Sequence, residues 1–271
     1  MSVRLCVLGS GSSGNATLIV APDTRLLIDC GFSGDEIAAR MAGTGAAWES
    51  LDAVLLTHTH QDHIRATAVR ACLEHEVTLF CHTTHAAQLD GRRHFRKLVA
   101  AGLVKTYDSL VPFKLPGGAQ ARALPVPHDC PRTFGFRLEF HGEHGHPRRV
   151  AYLADLGHWT PALTESVGDV DLLAIESNHD EEMERNSRRH ADLIERVLGP
   201  YGHLSNRQAA EALATLRAHD RVPRQIVLLH LSRECNLPRL AYRAANQALG
   251  QRSGTAIFVT RQDRPGSVLE V

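Results

Sequence analysis

The strongest chemical signal in this chain is a short segment that places four metal-binding side chains within six residues. The segment supplies three imidazoles and one carboxylate: His58, His60, Asp62 and His63. It directly follows the apolar stretch 53–56, which is long enough to form a buried strand. On a strand the first three would share one face, and a turn into a helix near Asp62 would bring the fourth beside them. Two adjacent ligand sets suit two metal ions about 3.5–4 Å apart.

The alternative for this segment is a group of surface histidines at a helix start, with Asp62 as the N-cap. Isolated histidines and aspartates commonly fill such positions. The density of ligands and the buried strand before them favour the metal site.

Four further candidates each follow an apolar stretch of the chain: His128, Asp155, Glu176 and His230. Functional sites in layered α/β proteins form where strands end, so these side chains have the opportunity to converge. A single polar residue at such a place is more often a cap or a satisfied hydrogen-bonding group. The same arrangement after four apolar stretches favours a functional site.

Short apolar runs alternate with helical patterns along the whole chain. Strands are predicted at 3–8, 16–20, 25–29, 52–56, 77–81, 121–126, 134–140, 149–154, 171–175, 225–230 and 256–260. Helices are predicted at 33–43, 62–74, 84–101 (broken), 187–198, 205–218 and 237–249. Strands mixed with helices predict an α/β layered protein with mixed sheets, and no linker divides the 271 residues, so a single domain over 1–271 is expected.

The composition is that of a globular protein: 43% of the residues are hydrophobic, and 30 basic residues balance 30 acidic ones. The 17 histidines are its distinctive feature, because histidine is the commonest metal ligand. The six cysteines are scattered and form no C-x-x-C pair, which indicates free thiols in a reducing compartment. With no signal-peptide pattern at the start and no membrane-spanning stretch, we expect a cytoplasmic protein that does not bind membranes.

The chain resembles the metallo-β-lactamase superfamily, whose signature is the H-x-H-x-D-H pattern, and within it the WalJ/YycJ-type group. The His58–His63 pattern identifies only the superfamily, whereas the Glu176–Asp180 and Gly202–Asn206 segments narrow the resemblance to the group. The matching segments cover nearly the whole chain: Gly9–Asn15, Asp29–Gly31, His58–His63, His128-Asp129, Asp155, Glu176–Asp180, Gly202–Asn206 and His230–Ser232.

The resemblance implies an αββα sandwich with two mixed β-sheets and a dinuclear metal site at one edge. It implies that His58, His60 and His128 hold one ion. It also implies that Asp62, His63 and His230 hold the second, with Asp155 bridging the two. Zinc or manganese is implied, and ligation by imidazole and carboxylate without thiolate allows either.

The segment Gly202–Asn206 leads directly into a helix, and a helix N-terminus can bind phosphate. His203, Ser205 and Asn206 are therefore candidate substrate-binding residues, although Ser205 could equally serve only as a helix cap. Three more residues are expected to support the ligands through hydrogen bonds or proton donation: Asp29, Glu176 and His179. Basic clusters at 92–97 and 185–189 could contact a polyanion, or could be solvated helix faces.

Together these observations and the resemblance predict a hydrolase of phosphodiester bonds. DNA as the substrate and a 5′-to-3′ exonuclease direction are implied by the resemblance. Asp62 and Asp155 are expected to orient the attacking water, and His203 is a candidate catalytic residue. A cyclic phosphodiesterase or thioesterase acting on small molecules is the alternative enzyme, and a non-catalytic metal-binding module is a third hypothesis. The oligomeric state is left open, with a homodimer as one option.

Overall fold

The computed structural model describes residues 2–142, 146–250 and 254–271. Its first sheet contains β1 (Arg4–Gly9), β2 (Ala16–Ala21), β3 (Thr24–Ile28), β4 (Ala53–Leu55), β5 (Thr78–His82), β6 (Val104–Tyr107) and β14 (Leu269–Glu270). The spatial order is β14-β1-β2-β3-β4-β5-β6. Neighbours from β14 to β3 pair antiparallel, and those from β3 to β6 pair parallel. The parallel part therefore gathers the carboxyl ends of β3, β4 and β5 at one edge.

The second sheet repeats this plan in the later part of the chain. It contains β7 (Pro112–Lys114), β8 (Gln120–Val126), β9 (Thr133–Phe140), β10 (Arg148–Leu153), β11 (Leu172–Glu176), β12 (Gln225–Leu229) and β13 (Ala256–Val259). The order is β13-β12-β11-β10-β9-β8-β7. The strands from β7 to β10 pair antiparallel, and those from β10 to β13 pair parallel.

Helices cover the outer face of each sheet. They are α1 (Gly34–Met41), α2 (Ala66–Glu74), α3 (Thr83–Leu89), α4 (Arg93–Ala100), α5 (Pro161–Ser166), α6 (Glu181–Arg185), α7 (Ala191–Leu198), α8 (Asn206–Ala218) and α9 (Pro238–Leu249). The helices α1 to α4 share an apolar cluster with the first sheet, and α5, α8 and α9 share one with the second. The two sheets face each other across a third cluster, which makes the αββα sandwich that the resemblance implied.

The strands at the centre of this sandwich are apolar on both faces because both faces are covered. In β3, Leu26 and Ile28 point into the cluster between the sheets, whereas Leu27 points toward the helices. In β10, Tyr152 lies between the sheets and Leu153 lies under the helices of the second layer. This period of two explains why the strands appear in the sequence as continuous apolar runs.

Every predicted strand overlaps a strand of the structure, but three short edge strands were not predicted: β6, β7 and β14. They were missed because two of the four residues of β6 are polar and exposed, and the other two strands span only 3 and 2 residues. The helix expected at 62–74 begins at Ala66, because Ile64 forms a β-bridge with Cys30. The broken helix at 84–101 is the pair α3 and α4, and the short α5 and α6 were not predicted.

Two expectations about the chain's environment can be compared with the described residues. All six cysteines are free and buried, as predicted. In the described part of the chain, none of the helices combines the length and apolarity that a membrane span requires.

Candidate metal centre

A cavity of about 490 Å³ opens where strand ends of both sheets meet. Most of the predicted metal ligands line it, together with residues of α7 and of the loop after β12. Its lining residues are Ser12, His60, Asp62, His128, Asp155, Asn178, Arg189, Leu193, Arg196, Val197, His203, His230, Ser232 and Glu234. His58 and His63 are fully buried directly behind this wall, in ring contact with each other at a centroid distance of 4.0 Å.

On the side of the first sheet, the buried carboxylate of Asp29 orders the ligand loop. Its Oδ1 accepts the backbone N–H of Thr57 at 2.9 Å, and its Oδ2 accepts from Nδ1 of His63 at 2.7 Å. The Thr57 hydroxyl lies 2.9 Å from the same Oδ2 and 3.0 Å from Nδ1 of His58. These contacts orient both imidazoles so that their Nε2 atoms face the cavity side of the loop.

The loop that carries Asp62 is held by close backbone contact with two neighbouring segments. The backbone N–H of Asn15 donates to the Asp62 carbonyl at 2.7 Å, and Gly31 donates to the Asn15 carbonyl at 2.8 Å. A Cβ atom at Gly31 would lie 1.7 Å from the Asp62 carbonyl oxygen. Glycine is therefore required at position 31 for this approach.

On the side of the second sheet, the carboxylate of Glu176 has the corresponding role. Its Oε1 accepts from Nδ1 of His203 at 2.8 Å and from Nδ1 of His230 at 3.0 Å. Its Oε2 accepts the backbone N–H groups of Leu156 at 2.7 Å and Leu204 at 3.1 Å. Glu176 thus connects four chain segments and leaves the Nε2 atoms of both histidines free to act.

Three of these polar residues have left-handed backbone conformations. The φ angles are 61° at Asp29, 52° at Asp155 and 57° at His230. Residues other than glycine rarely adopt this region, and such strain is concentrated at functional sites. In each case the chain turns sharply just after a strand of the parallel part of a sheet. The turns direct Asp155 and His230 toward the cavity and Asp29 toward Thr57 and His63 behind it.

Three buried polar atoms of this cluster are left without a well-directed hydrogen bond among the described residues: Nε2 of His58, Oδ2 of Asp155 and Nε2 of His230. Asp155 Oδ2 lies 2.9 Å from Nε2 of His63, and Asp155 Oδ1 lies 3.6 Å from Nε2 of His230. Leaving buried polar atoms unpaired costs free energy, so their convergence requires a ligand that accepts several lone pairs at once. A divalent metal ion has this property, and the donor set fits one.

Three groups of side chains offer possible ligand atoms within 4.8 Å of one another: His58, His60 and His128; His58, His63 and Asp155; and Asp62, His63 and His230. The first and the third contain the same residues as the two sets that the resemblance implies, and metal binding by them stays a prediction. A fourth group combines Asp155, Glu176, His203 and His230. Because both oxygens of Glu176 already accept hydrogen bonds, its position favours orienting the histidines over binding a metal.

The electrostatics of the cluster are those of a site that exchanges protons for cations. Burial lowers the pKa of His58, and the neighbouring His63 lowers it further. Burial also disfavours charge on His230, but Asp155, Asp62 and Glu176 outweigh it and raise the pKa of His230 to about 10. A histidine must be neutral to bind a metal, so metal binding at His230 requires the release of a proton.

The remaining predicted residues differ in where the structure places them. His203 lines the cavity. Ser205 is buried, forms a reciprocal capping box with Gln208, and donates its hydroxyl to Glu181 at 2.8 Å. The Asn206 side chain bonds to Ser177 and to another buried asparagine, Asn236. These contacts are structural, so substrate binding by Ser205 and Asn206 stays a prediction.

His179 is buried but makes no hydrogen bond through its ring nitrogens in the described part of the protein. Its expected support of the ligands therefore stays a prediction. Of the basic clusters, Arg189 lines the cavity, whereas none of residues 92–97 does.

Several cavity residues were not singled out from the sequence. Thr57 orders two imidazoles, and Asn178 donates to the His230 carbonyl at 2.8 Å. Arg196 and Ser232 line the cavity wall. Thr57 adjoins the histidine segment, and Asn178 and Ser232 lie within segments that carry the resemblance. Arg196 had no such signal, and the tertiary fold brings it to the cavity.

Comparison with known proteins places this site in a family. A family model described as the beta-lactamase superfamily domain matches residues 24–231. Exodeoxyribonuclease WalJ of Streptococcus pneumoniae serotype 2 (strain D39 / NCTC 7466) is 30% identical over 257 residues, covering 92% of this chain and 88% of the relative. The chain belongs to the metallo-β-lactamase superfamily, in the group of WalJ.

Two further similarities agree with this membership. Exodeoxyribonuclease YycJ of Bacillus anthracis is 27% identical over 257 residues, covering 93% of this chain and 91% of the relative. The metallo-beta-lactamase fold protein YhfI of Bacillus subtilis superposes with a TM-score of 0.72 at 17% identity, over 100% of both chains. At that identity YhfI supports the fold alone. As a member of this superfamily, with clustered histidine and aspartate side chains that could hold a metal ion, the chain is a metal-dependent hydrolase.

Proposed function

We propose that this protein is a single-domain exodeoxyribonuclease that degrades DNA from the 5′ end with two divalent metal ions, zinc or manganese. The convergence of the unpaired donor atoms of His58, Asp155 and His230 in an open cavity carries the proposal of a metal-dependent hydrolase. Similarity to WalJ and YycJ over most of the chain supports DNA as the substrate. The buried free thiols suit a reducing compartment, which supports a cytoplasmic location.

In this proposal His58, His60 and His128 would hold one ion, and Asp62, His63 and His230 would hold the other, with Asp155 available as a ligand to either. Metal ions bound there would act as Lewis acids on the phosphoryl group and lower the pKa of the attacking water. The Nδ1 atom of His128 lies 3.1 Å from the Gly202 carbonyl, which fixes the tautomer that presents Nε2 to the cavity.

His203 is the residue that we propose to act on the substrate directly. Its Nδ1 is held by Glu176, and its Nε2 has no hydrogen-bond partner in the described residues. Burial opposes charge on His203, but the Glu176 carboxylate outweighs burial and raises the pKa of this imidazole. A protonated Nε2 beside the metal ligands can donate to a phosphoryl oxygen or to the departing sugar oxygen.

The role of His203 can be tested with two substrates of different leaving-group quality. His203→Asn should reduce kcat on DNA about 10²- to 10⁴-fold, because an alkoxide leaving group needs the proton. The same variant should change hydrolysis of bis(4-nitrophenyl) phosphate much less, because nitrophenolate leaves without protonation. Equal losses on both substrates would contradict proton donation and favour a purely structural role.

The first experiment on the proposed function is degradation of duplex DNA labelled at either end, with Mn²⁺ and with Zn²⁺. The wild-type protein should remove nucleotides stepwise from the 5′ end, and Asp62→Ala should not. Elemental analysis of both proteins should give two metal ions for the wild type and fewer for the variant. Hydrolysis of bis(4-nitrophenyl) phosphate without any DNA degradation would reject the exonuclease and leave an enzyme for small phosphodiesters.

A further inference from the structure

One wall of the metal cavity is formed by a single face of α7. Leu193, Arg196 and Val197 line the cavity, and their spacing of three and four residues places them on one side of the helix. This face therefore presents one guanidinium group between two apolar side chains. Leu193 is partly exposed at 38%, so the face is open to a ligand that enters the cavity.

Among the described residues that line the cavity, Arg189 and Arg196 carry the guanidinium groups and no lysine is present. Arg189 is fully engaged by its surroundings. Its Nε donates to Glu234 at 2.9 Å, its Nη1 to buried Glu184 at 3.0 Å, and its Nη2 to the Ser232 hydroxyl at 3.1 Å. Two carboxylates neutralise this arginine, which joins the segment before α7 to the loop after β12.

Arg196, in contrast, is paired through only one of its guanidinium nitrogens. Its Nε pairs with Asp129 Oδ2 at 2.5 Å, while Nη1 and Nη2 have no partner in the described part of the chain, and 56% of the side chain is exposed. The other oxygen of Asp129 lies 3.1 Å from Nε2 of His128. One carboxylate therefore positions the free end of this guanidinium directly beside a proposed metal ligand.

A guanidinium with two free nitrogens, next to a phosphodiester-cleaving site, matches the geometry of a phosphate. Solvation at the surface is the usual explanation of a basic residue, and it applies to Arg188, which is exposed in the bend before α7 and does not line the cavity. It does not explain Arg196, because this residue is fixed at the cavity wall by an ion pair and flanked by apolar side chains.

We propose that Arg196 is a specificity-determining residue that binds a phosphate adjacent to the cleaved one along the substrate strand. Leu193 and Val197 contact the sugar and base between the two phosphates. The enzyme then selects polynucleotides over small phosphodiesters, which offer only one phosphate. This inference rests on the proposed function, because it assumes that the metal site cleaves a nucleic acid strand.

The test compares Arg196→Ala and Arg196→Lys with the wild type on two substrates. On a single-stranded oligonucleotide, Arg196→Ala should raise KM about ten- to hundredfold, as expected for the loss of a charge-assisted hydrogen bond. The salt dependence of its binding should weaken by a slope of about 0.7. Arg196→Lys should recover part of the loss. On bis(4-nitrophenyl) phosphate, which has one phosphate, kcat/KM of both variants should equal that of the wild type.

Arg188→Ala is the matched control, because it removes the same charge from the same segment outside the cavity. Binding of a fluorescent phosphorothioate oligonucleotide, which resists cleavage, gives a second measurement independent of turnover. Arg196→Ala should weaken this binding, whereas Arg188→Ala should not. Equal behaviour of the two variants, or an equal loss on both substrates, would overturn the inference.

The two proposals fail in different ways in this experiment. A wild-type protein that cleaves bis(4-nitrophenyl) phosphate but not DNA would reject the exonuclease, and the phosphorothioate binding of Arg196→Ala would still decide the role of the arginine. A wild-type protein that degrades DNA with an Arg196→Ala variant of unchanged KM and binding would reject only the role of Arg196.

Discussion

The two sides of the cavity are each ordered by one buried carboxylate, but the two carboxylates differ in what they connect. Asp29 contacts Thr57 and His63, which belong to one continuous loop. Glu176 contacts two histidines and two backbone N–H groups from chain segments that are distant in sequence. Both carboxylates reach residues at least 20 positions away along the chain, but Asp29 orders a single loop, whereas Glu176 joins three other segments.

The difference also appears in the charge states of the two carboxylates. Burial raises the pKa of Asp29, and its hydrogen bonds with His63 and Thr57 offset only part of this effect. Burial acts in the same direction on Glu176, but His203 and His230 outweigh it and lower the pKa of this carboxyl group. Glu176 also holds two imidazoles, whereas Asp29 holds one, so we expect its loss to affect more of the site than the loss of Asp29.

The largest effect is expected from the residue that contacts both sides. Asp155 lies near His63 on one side and near His203 and His230 on the other. Asp155→Asn should lower kcat/KM on DNA about 10³-fold or more and reduce the bound metal, because the amide removes the shared anionic ligand. Asp129→Asn is the control at the cavity edge and should retain both ions. Full metal content and activity in Asp155→Asn would contradict a role for Asp155 as a ligand shared by the two sides of the cavity.

The next largest effect is expected for Glu176→Gln, at about 10²-fold in activity. Because Glu176 raises the pKa of His203, the wild type should lose activity as the pH rises through that raised pKa. Without the carboxylate, His203 loses its proton at lower pH, so the alkaline limb of the kcat profile should move to lower pH. An unchanged pH profile in Glu176→Gln would show that the Glu176 carboxylate does not set the pKa of His203 in the working enzyme.

Asp29→Asn should have a smaller effect of about tenfold in metal affinity, measured by competition with a chelator. The amide oxygen can still accept the Thr57 N–H, so only the contact with His63 is weakened. Asn can still occupy the left-handed backbone conformation at position 29. If Asp29→Asn lost more metal affinity than Glu176→Gln, Asp29 and not Glu176 would be the more important of the two carboxylates.

The smallest effect concerns a histidine that joins the two halves away from the metal ligands. His85 of α3 donates Nε2–H to the Arg132 carbonyl at 2.6 Å, and its Nδ1 accepts the His82 N–H at 3.3 Å. Burial lowers the pKa of His85 to about 4. The unfolded chain binds this proton near pH 6.5, so the free energy of unfolding should fall as the pH drops from 6.5 toward 4, by roughly 3 kcal/mol at most.

The substitution His85→Gln should remove this part of the pH dependence. Urea denaturation of the metal-free wild type and variant at pH 7.5 and pH 5 isolates the contribution, because the metal ligands titrate equally in both proteins. A wild type and variant that lose equal stability at pH 5 would show that His85 is not held in its neutral form.

Much of the architecture could be predicted because both sheets are buried on two faces. Continuous apolar runs marked eleven of the strands. The short edge strands lacked this signal, since an edge strand is only partly covered. The start of α2 was misplaced because a β-bridge between Cys30 and Ile64, a contact distant in sequence, overrides the local helical pattern.

For the site, the sequence by itself determined the ligand chemistry: four donors packed into residues 58–63, and single donors after later strands. Only the tertiary structure decided that Glu176 connects His203 with His230, and that α7 presents Arg196 to the cavity. The physical reason is distance along the chain. Adjacent residues constrain one another through local backbone geometry, whereas residues tens of positions apart meet only when parallel strands bring their ends to one edge of a sheet.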